Sequence, residues 1–418
     1  MRLRGSILSA SLLLALPALA QRPSGAAEMV SVAQVLQAAR ENVDVLLARH
    51  ALAAAQADVV IADHLQAPVL SAKASSIDLQ SGIGGGNLLR DKRIDKAIGI
   101  DWTWERGNKR ALRARSAGRN LDAIRADLEE AQVQQQLVAA SAYYDLLAVQ
   151  ERIELVEAIG RSAAEVAASS LRRMRAGDLS QQDALRTEVE AQRAGADLQA
   201  ARSDRQRAQA ALALVTGLAP PLSAEPVWPA PGFEVAPAQP TETRTDIRAA
   251  QQRVQAAQFA LDGAMALRHN DVTLGSSIDH FPGTSTRQLE LRVQVPLNGL
   301  LGNYGFQGEI DRARAQLAQA EQQLVKVERS AAADSQRLQQ DLQATTGRAA
   351  LYRDSIVPQA RKIAGMADLA YGKGAMSLTD LIDARRTLRN VLLEDVAARA
   401  DHARAIAAWQ VRNAIARP

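Results

Sequence analysis

The clearest pattern of chemically useful side chains in this sequence is a pair of carboxylates near its end. Asp380 and Asp383 are three residues apart in a segment with helical spacing, so both lie on one face of a helix. Copies of such a pair around an aqueous opening would attract cations. The same residues could instead cap the helix and complement its dipole, which explains Asp380 better than Asp383.

Signatures of catalysis and of a resident metal site are missing from the sequence. It has no cysteine, and its five histidines are scattered without metal-ligand spacing: His50, His64, His269, His280 and His402. The glycines of SGIGGGN lack the spacing of a dinucleotide-binding loop, and we interpret them as a flexible hairpin loop. We therefore expect no enzymatic activity, no cofactor and no metal site.

The composition favours helices that pack closely on small side chains. Apolar residues make up 47% of the chain, whereas aromatic residues make up 3%. The formal net charge is only +4, which argues against nucleic acid as a partner.

The N-terminus has the three parts of a secretory signal peptide. Arg2 and Arg4 precede an apolar run from Ile7 to Ala18, and Ala18-Leu19-Ala20 fits a cleavage site, so residues 1–20 are the predicted signal peptide. No other stretch is expected to be long enough to cross a membrane as a helix. Any membrane crossing by the exported chain would then use β-strands.

Two short segments predict matching turns, AGDLSQQDALR (176–186) and KGAMSLTDLID (373–383). Their shared residues are 197 positions apart: Gly177, Ser180 and Asp183 in the first, and Gly374, Ser377 and Asp380 in the second. Each glycine is expected to end a long helix, and each serine to cap the next one with the aspartate at its third position. Residues 177–183 and 374–380 are thus predicted turns between antiparallel helices of two tandem repeats.

The proline content divides the chain into two repeats. Seven prolines between Pro220 and Pro240 mark residues 218–243 as a linker or surface excursion. The first repeat covers residues 21–217 and the second 244–418. Each opens with a similar predicted helix, DVLLARHALAAAQ (44–56) and DIRAAQQRVQAAQ (246–258).

Each repeat continues with a predicted β-hairpin and a long helix. The predicted hairpins cover residues 69–104 and 271–296. Near the end of each hairpin, apolar and polar residues alternate. A proline-free helix of about 100 Å is predicted over 109–176. The second long helix carries a heptad seam, which consists of Ile310, Ala313, Leu317, Ala320, Leu324 and Val327.

Four strands cannot close a barrel, so hairpins that span a membrane would need several copies of the chain. The alternative is a soluble sheet over the helices. Export, long coiled-coil helices and equivalent hairpins favour the barrel.

Together these motifs resemble the TolC-type outer-membrane efflux channels over nearly the whole mature chain. The resemblance implies a mainly α-helical chain with a β-barrel part. Three chains would form a 12-stranded barrel in the lipid of the outer membrane and a helical tunnel across the periplasm. It also implies that the turns at Gly177, Ser180, Gly374 and Ser377 form the periplasmic tip. This tip would dock on a periplasmic adaptor and, through it, on a proton-driven inner-membrane pump, while the proline-rich segment would lie midway along the tunnel.

The resemblance also assigns roles to tip residues. Asp380 and Asp383 match acidic positions at the pore entrance. Tyr371 matches a tyrosine that latches the closed tip to a carboxylate of the neighbouring hairpin, here Asp183. The chain has Met376 where closed relatives can have an arginine, so we expect the resting pore to be either looser or held by another residue.

The segment ERGNKR (105–110) resembles the heavy-metal branch, whose members serve exporters of cobalt, nickel, zinc or cadmium. The sequence thus favours a passive exit duct for divalent metal cations. The alternatives are a duct for drugs or for type I protein secretion, and a periplasmic coiled-coil scaffold without a pore.

Overall fold

The computed structural model describes residues 27–80, 82–85, 94–229, 240–281, 287–296 and 304–413. The predicted signal peptide lies outside these residues. So do parts of the predicted linker and of both hairpin loops.

The first half of the chain contains four helices and four strands within the described ranges. In chain order these are β1 (Glu28–Val30), α1 (Val32–Ala39), α2 (Val43–Ala62), β2 (Val69–Ser75), β3 (Asp95–Trp104), α3 (Lys109–Arg175), α4 (Gln181–Thr216) and β4 (Leu222–Ala224). The long proline-free segment therefore forms one helix of 67 residues, or about 100 Å, as predicted.

The second half runs through a similar series of elements. They are α5 (Thr245–Ala266), β5 (Val272–His280), β6 (Gln288–Gln294), α6 (Gln307–Leu351), α7 (Val357–Gly372) and α8 (Leu378–Asn413). A π-helical turn, Tyr352–Ile356, joins α6 to α7, so that Gln307–Gly372 is one long but interrupted helix nearly as long as α3.

The two hairpins form one antiparallel sheet with the strand order β2-β3-β5-β6. The pairing register aligns Ile100 with Leu70 and Ser276, and Ser276 with Leu291. Successive residues point to opposite faces, so apolar side chains collect on one face and polar ones on the other. β2 and β6 are the outer strands of this four-stranded sheet.

The heptad seam predicted on α6 is the less exposed stripe of that helix. Ile310 and Ala313 are buried, and the next four seam positions are half-buried among exposed neighbours. The start of the seam packs on Leu261 and Ala264 of α5, and further along its length α6 contacts α8.

The main apolar core lies where the two halves of the chain meet. Tyr143 and Leu146 of α3, Val35 of α1 and Leu222 of β4 are almost fully buried there. Burial, with the nearby Tyr144 and Glu225, raises the pKa of Tyr143 to about 12. The Tyr143 hydroxyl donates a hydrogen bond to the Glu225 carbonyl at 3.1 Å.

The start of the proline-rich segment is not a surface excursion. Leu222 and Ala224 have 0% and 1% of their surface exposed, and β4 pairs in parallel with β1. The sequence predicted neither strand, because three residues are too few to show a period of two.

The prediction that no stretch beyond the signal peptide is long and apolar enough to span a membrane as a helix was wrong. Residues 32–62 have the required length and hydropathy, although one such stretch near the N-terminus is by itself weak support for a membrane span. The structure divides the stretch into α1 and α2, with Asn42 as the cap of α2. Only 11% of the 18-residue apolar segment within this stretch is buried in the single chain.

The segment ERGNKR joins the sheet to α3 through contacts with both halves. The Arg106 backbone N–H and the Lys109 ammonium donate to Asp271 at 2.9 and 2.8 Å, and Arg110 donates to Asp63 at 2.9 Å. Gly107 has φ +73°, and a Cβ there would lie 2.7 Å from the His269 ring. The motif is therefore a structural joint between strands and helices.

Candidate functional site: the helical tip

The predicted turns connect the long helices at one end of the molecule. Gly177 and Gly374 have φ of +82° and +76°, which is the left-handed region that glycine tolerates best. The next residues, Asp178 and Ala375, donate backbone hydrogen bonds five residues back, to Arg173 and Ala370, at 2.9 Å each. Both helices therefore end in the same Schellman-type geometry, which confirms the predicted role of the two glycines.

The predicted caps are also present in both turns. The Ser180 hydroxyl accepts from the Asp183 backbone N–H at 3.1 Å, and Ser377 accepts from Asp380 at 3.2 Å. Each hydroxyl in turn donates to the carboxylate of the same aspartate at 2.7 Å. The paired bonds satisfy helix N-terminal donors and give the two turns the same cap geometry.

Met376 and Tyr371 belong to a small apolar cluster behind the second turn. They pack against the buried residues Ala367, Leu378 and Leu381. Met376 therefore fills space in the tip.

The Tyr371 hydroxyl has an arginine partner from the other half of the chain. It accepts a hydrogen bond from Arg173 of α3 at 2.8 Å, and the Arg173 guanidinium lies 5.7 Å from the ring centroid. Asp183 contacts Ser180 and lies 4.0 Å from Arg186. Within one chain Tyr371 and Asp183 thus have other partners, and a latch between them in an assembly stays a prediction.

Arginines also connect α4 to α8 above the turns. Arg186 donates to the Thr379 hydroxyl at 2.9 Å, and Arg386 forms an ion pair with Glu190. The hydrogen bond from Arg386 lowers the pKa of Glu190, and this effect outweighs the opposing effect of burial. Glu190 is therefore a carboxylate at neutral pH, and the two halves of the tip are held together by charge.

The two candidate entrance carboxylates have different surroundings. Asp380 is engaged in the cap of α8. The Asp383 side chain is 64% exposed, and its carboxylate lies 3.5 Å from Arg386. Asp383 is therefore the more available of the two for a cation. In the described part of the chain, no group of three or more His, Cys, Asp or Glu residues is placed to hold a metal ion.

Sequence reasoning missed the arginines that join the two halves of the tip. One feature of the sequence could have indicated the Arg173 contact. The two repeats are 197 positions apart, so Arg173 is equivalent to Ala370 and is expected to lie near Tyr371. Arginine in the last turn of α3 was also visible, at Arg172, Arg173 and Arg175. Neither feature identifies the partner across the fold.

At the other end of the molecule the sheet presents its apolar face outward. Ile98, Trp104 and Leu289 keep 56%, 56% and 67% of their surface exposed in the single chain. On the opposite face the Arg292 side chain crosses Gly275 to donate to Asp101 at 2.6 Å. A Cβ at position 275 would lie 2.3 Å from the Asp101 carboxylate, so glycine there makes room for the ion pair.

The sequence is similar to a known protein family and to a heavy-metal resistance protein. Residues 35–218 match the family described as outer membrane efflux protein. The chain is 23% identical over 292 residues to the cobalt-zinc-cadmium resistance protein CzcC of Cupriavidus metallidurans, which is 68% of each chain.

Solved structures share the fold. CusC aligns with a TM-score of 0.76 over 91% of this chain and 92% of its own, at 15% identity. VceC of Vibrio cholerae gives 0.75 over 91% and 95%, at 18% identity. CmeC of Campylobacter jejuni gives 0.75 over 99% and 93%, at 15% identity. The fold is that of outer-membrane efflux channels.

Proposed function

Because residues 35–218 match the outer membrane efflux protein family, we propose that the chain is the exit duct of a tripartite, proton-driven efflux system. The chain resides in the outer membrane and extends into the periplasm. In the proposal its four-stranded sheet forms part of the wall of a barrel in the membrane, and its long helices form a tunnel that ends at the tip. The duct is passive, and the inner-membrane pump supplies the energy.

The observation that carries this proposal is the apolar outer face of the sheet. β3 and β5 have 10 and 9 residues, close to the roughly 9–11 that a tilted strand needs to cross a bilayer. Trp102 and Trp104 lie at the end of β3 next to the helices, where aromatic side chains favour the membrane–water interface. Lipid is the environment that such a face requires.

The outer strands of the sheet support assembly of three chains. An open sheet edge in hydrocarbon would leave backbone N–H and C=O groups without partners. If β6 of one chain pairs with β2 of the next, three four-stranded sheets close into one barrel of twelve strands. A pore-less scaffold is disfavoured, because it would leave the apolar face in water.

Divalent heavy-metal cations are the proposed substrates. The relative CzcC is named for resistance to cobalt, zinc and cadmium. The exposed Asp383 and the cap residue Asp380 would form rings of carboxylates at the tip of a trimer, which would attract multivalent cations. A duct for drugs or secreted proteins has the same fold, so the substrate must be decided by experiment.

The proposal is tested in cells that lack their own duct. The chain is expressed with a metal-type adaptor and pump, and cellular cobalt and zinc are measured after a metal load. We expect less metal than in cells with the adaptor and pump alone. Unchanged metal content, together with restored drug efflux beside a drug-type pump, would move the substrate to the alternative class. A detergent-free monomer would overturn the duct itself.

Docking of the adaptor on the two tip turns is tested at the glycines. No atom lies within 4 Å of a Cβ built at Gly177 or Gly374, so valine there acts through backbone strain at positive φ. We expect the double valine variant to reach the outer membrane but to lose efflux. Gly365→Val is the matched control, because Gly365 is exposed on α7 and helical. Full resistance of the double variant at normal expression would contradict docking through these turns.

A further inference from the structure

A cavity of about 330 Å³ lies between α3, α4, α7 and α8, and it shares Leu381 with the apolar cluster around Tyr371 and Met376. Its volume is within the range of small-molecule pockets, which is roughly 300–1,000 Å³. Asp380 and Asp383 do not line the cavity, although its lining residue Arg386 lies 3.5 Å from Asp383. The cavity is bounded by residues of both halves of the chain.

The cavity has mostly apolar walls. The large apolar side chains that line it include Leu155, Ile159, Val166, Leu381, Leu388 and Leu392. Ala163 and Ala364 lie among them, and their small side chains leave the space open. An apolar body placed here would be removed from water on several sides.

Three arginines of α8 border the cavity, and they differ in how well they are paired. Arg385 contacts Asp368 at 2.7 Å and the Ser162 hydroxyl at 3.0 Å. Arg386 is paired with Glu190. Among the described residues, the contacts of Arg389 are longer: its guanidinium lies 3.7 Å from Asp197 and 3.5 Å from the Asn390 side chain, and its charge helps to lower the pKa of Glu190.

Arg389 is therefore the most loosely paired of the three cations beside this apolar space. Its side chain is 26% exposed, so water satisfies it only in part. A guanidinium presents a planar fork of N–H donors that fits a carboxylate or a sulfonate.

We propose that this cavity binds a small amphiphilic anion, with its apolar body between α3 and α8 and its anionic group on Arg389. The proposal does not rest on the exit-duct function. Because the walls come from both halves of the chain, a bound anion would join α3 and α4 to α7 and α8. It would then stabilise the present arrangement of the tip by mass action.

The test uses the purified full-length mature protein in lipid nanodiscs and the probe 2-naphthoate. Its neutral twin is 2-naphthalenemethanol, and empty nanodiscs measure partition into lipid. Isothermal titration should show saturable binding of one 2-naphthoate per chain, at least about tenfold tighter than the neutral twin. The melting temperature should rise with probe concentration.

Two substitutions distinguish the two parts of the site. Arg389→Gln should weaken 2-naphthoate binding about tenfold and leave the neutral twin unchanged. Ala163→Leu should fill the cavity and remove binding of both probes. Ala164→Leu is the matched control, because Ala164 is exposed on the same helix and does not line the cavity.

Several results would overturn the proposal. These are no saturable binding to the wild type, equal binding to the wild type and Ala163→Leu, and loss of binding in Ala164→Leu alone. If Ala163→Leu does not fold, Ala158→Leu replaces it, because Ala158 lines the cavity from an exposed position. Unchanged 2-naphthoate affinity in Arg389→Gln would contradict the assigned anion partner.

Discussion

At the scale of single residues, Asp380 and Asp383 separate two roles that the sequence leaves together. Asp380 exchanges two hydrogen bonds with Ser377 at the start of α8. Asp383 lies one turn further along and is exposed beside Arg386. A carboxylate that caps a helix contributes to the stability of the fold, whereas an exposed carboxylate contributes mainly to the electrostatic potential around it.

Asp383→Asn is therefore expected to lower the cation selectivity of purified channels without lowering their melting temperature. Charges in water are screened over about 8–10 Å at physiological salt, so the effect requires a narrow tip. Block by divalent cations from the tip side should weaken as well. Planar bilayer recordings measure both effects.

Asp380→Asn is the comparison for this prediction. It should reduce stability by about 1 kcal/mol, because it weakens the cap. Unchanged selectivity and block in an intact Asp380→Asn, Asp383→Asn double variant would show that these aspartates only cap the helix.

Arg173 and Tyr371 give a second prediction at this scale. Arg173→Gln removes the charged donor to the Tyr371 hydroxyl, and we expect faster amide hydrogen exchange at Gly374 and Ala375. Tyr371→Phe should have a similar effect, and the double variant should add little, since both remove one contact. Arg172→Gln is the control, because Arg172 is a neighbouring exposed arginine. Equal exchange in all variants would mean that the contact does not hold the tip.

Residue-scale features with local causes were predictable from the sequence. The glycine ends and serine caps follow from spacing within seven residues, and the structure has them in both turns. Arg173 was not predictable as the partner of Tyr371, because 198 positions separate them and only the fold brings them together. Met376 illustrates the same limit, since its burial depends on the cluster around it.

At the scale of elements, a charged joint ties α3, α5, α6 and α8 together near the middle of the molecule. Arg244, before α5, donates to Asp334 of α6 at 3.2 Å. Arg412 of α8 donates to both oxygens of Glu130 at 2.9 Å and lies 3.7 Å from Asp334. The side chains of Arg244 and Arg412 are only 11% and 10% exposed, so each needs its carboxylate partners.

Acid is expected to weaken this joint. Burial would raise the pKa of Asp334, but hydrogen bonds from Arg337 and Arg244 and the charge of Arg412 hold that pKa below its ordinary value. Asp334 therefore contributes stability above its unfolded pKa of about 4, and the contribution is lost as pH falls through the lower folded pKa. Thermal unfolding should become easier below about pH 4.

Asp334→Asn should remove this acid-dependent contribution. At pH 7 the variant is expected to lose about 2 kcal/mol, because charged hydrogen bonds are broken next to a buried guanidinium. Asp341→Asn is the control, since Asp341 is 52% exposed and pairs with the exposed Arg337 on the same helix. An identical pH profile in Asp334→Asn and the wild type would contradict the role of this carboxylate.

Long periodic elements were the most predictable part of the fold. The heptad seam on α6 and the alternating strands follow from repeats that extend over many residues. β1 and β4 were not predictable, because their pairing depends on a contact almost 200 residues along the chain. The π-helical turn before α7 has Pro358 as its only local signal, and a proline does not specify that turn.

At the scale of the whole molecule, α2 leaves an apolar face uncovered in the single chain. Val43, Leu47 and Ile61 are 67%, 62% and 70% exposed. Residues 43 and 61 are 18 positions apart, which is five turns of about 3.6 residues, so they share one side of the helix. The proposed trimer requires a surface of this kind on each chain, because its helices must meet at subunit boundaries.

Leu47→Glu is therefore expected to prevent or weaken the trimer, since it would place a charge in the contact between chains. Size-exclusion chromatography with light scattering, in detergent, should show monomers or a mixture. Gln56→Glu is the matched control, because Gln56 is exposed on α2 about 220° around the helix from Val43. Circular dichroism should show the same helix content in both variants. If Leu47→Glu forms trimers as stable as those of the control, this face of α2 does not lie between chains, and the trimer must be held by the sheet edges and other helices.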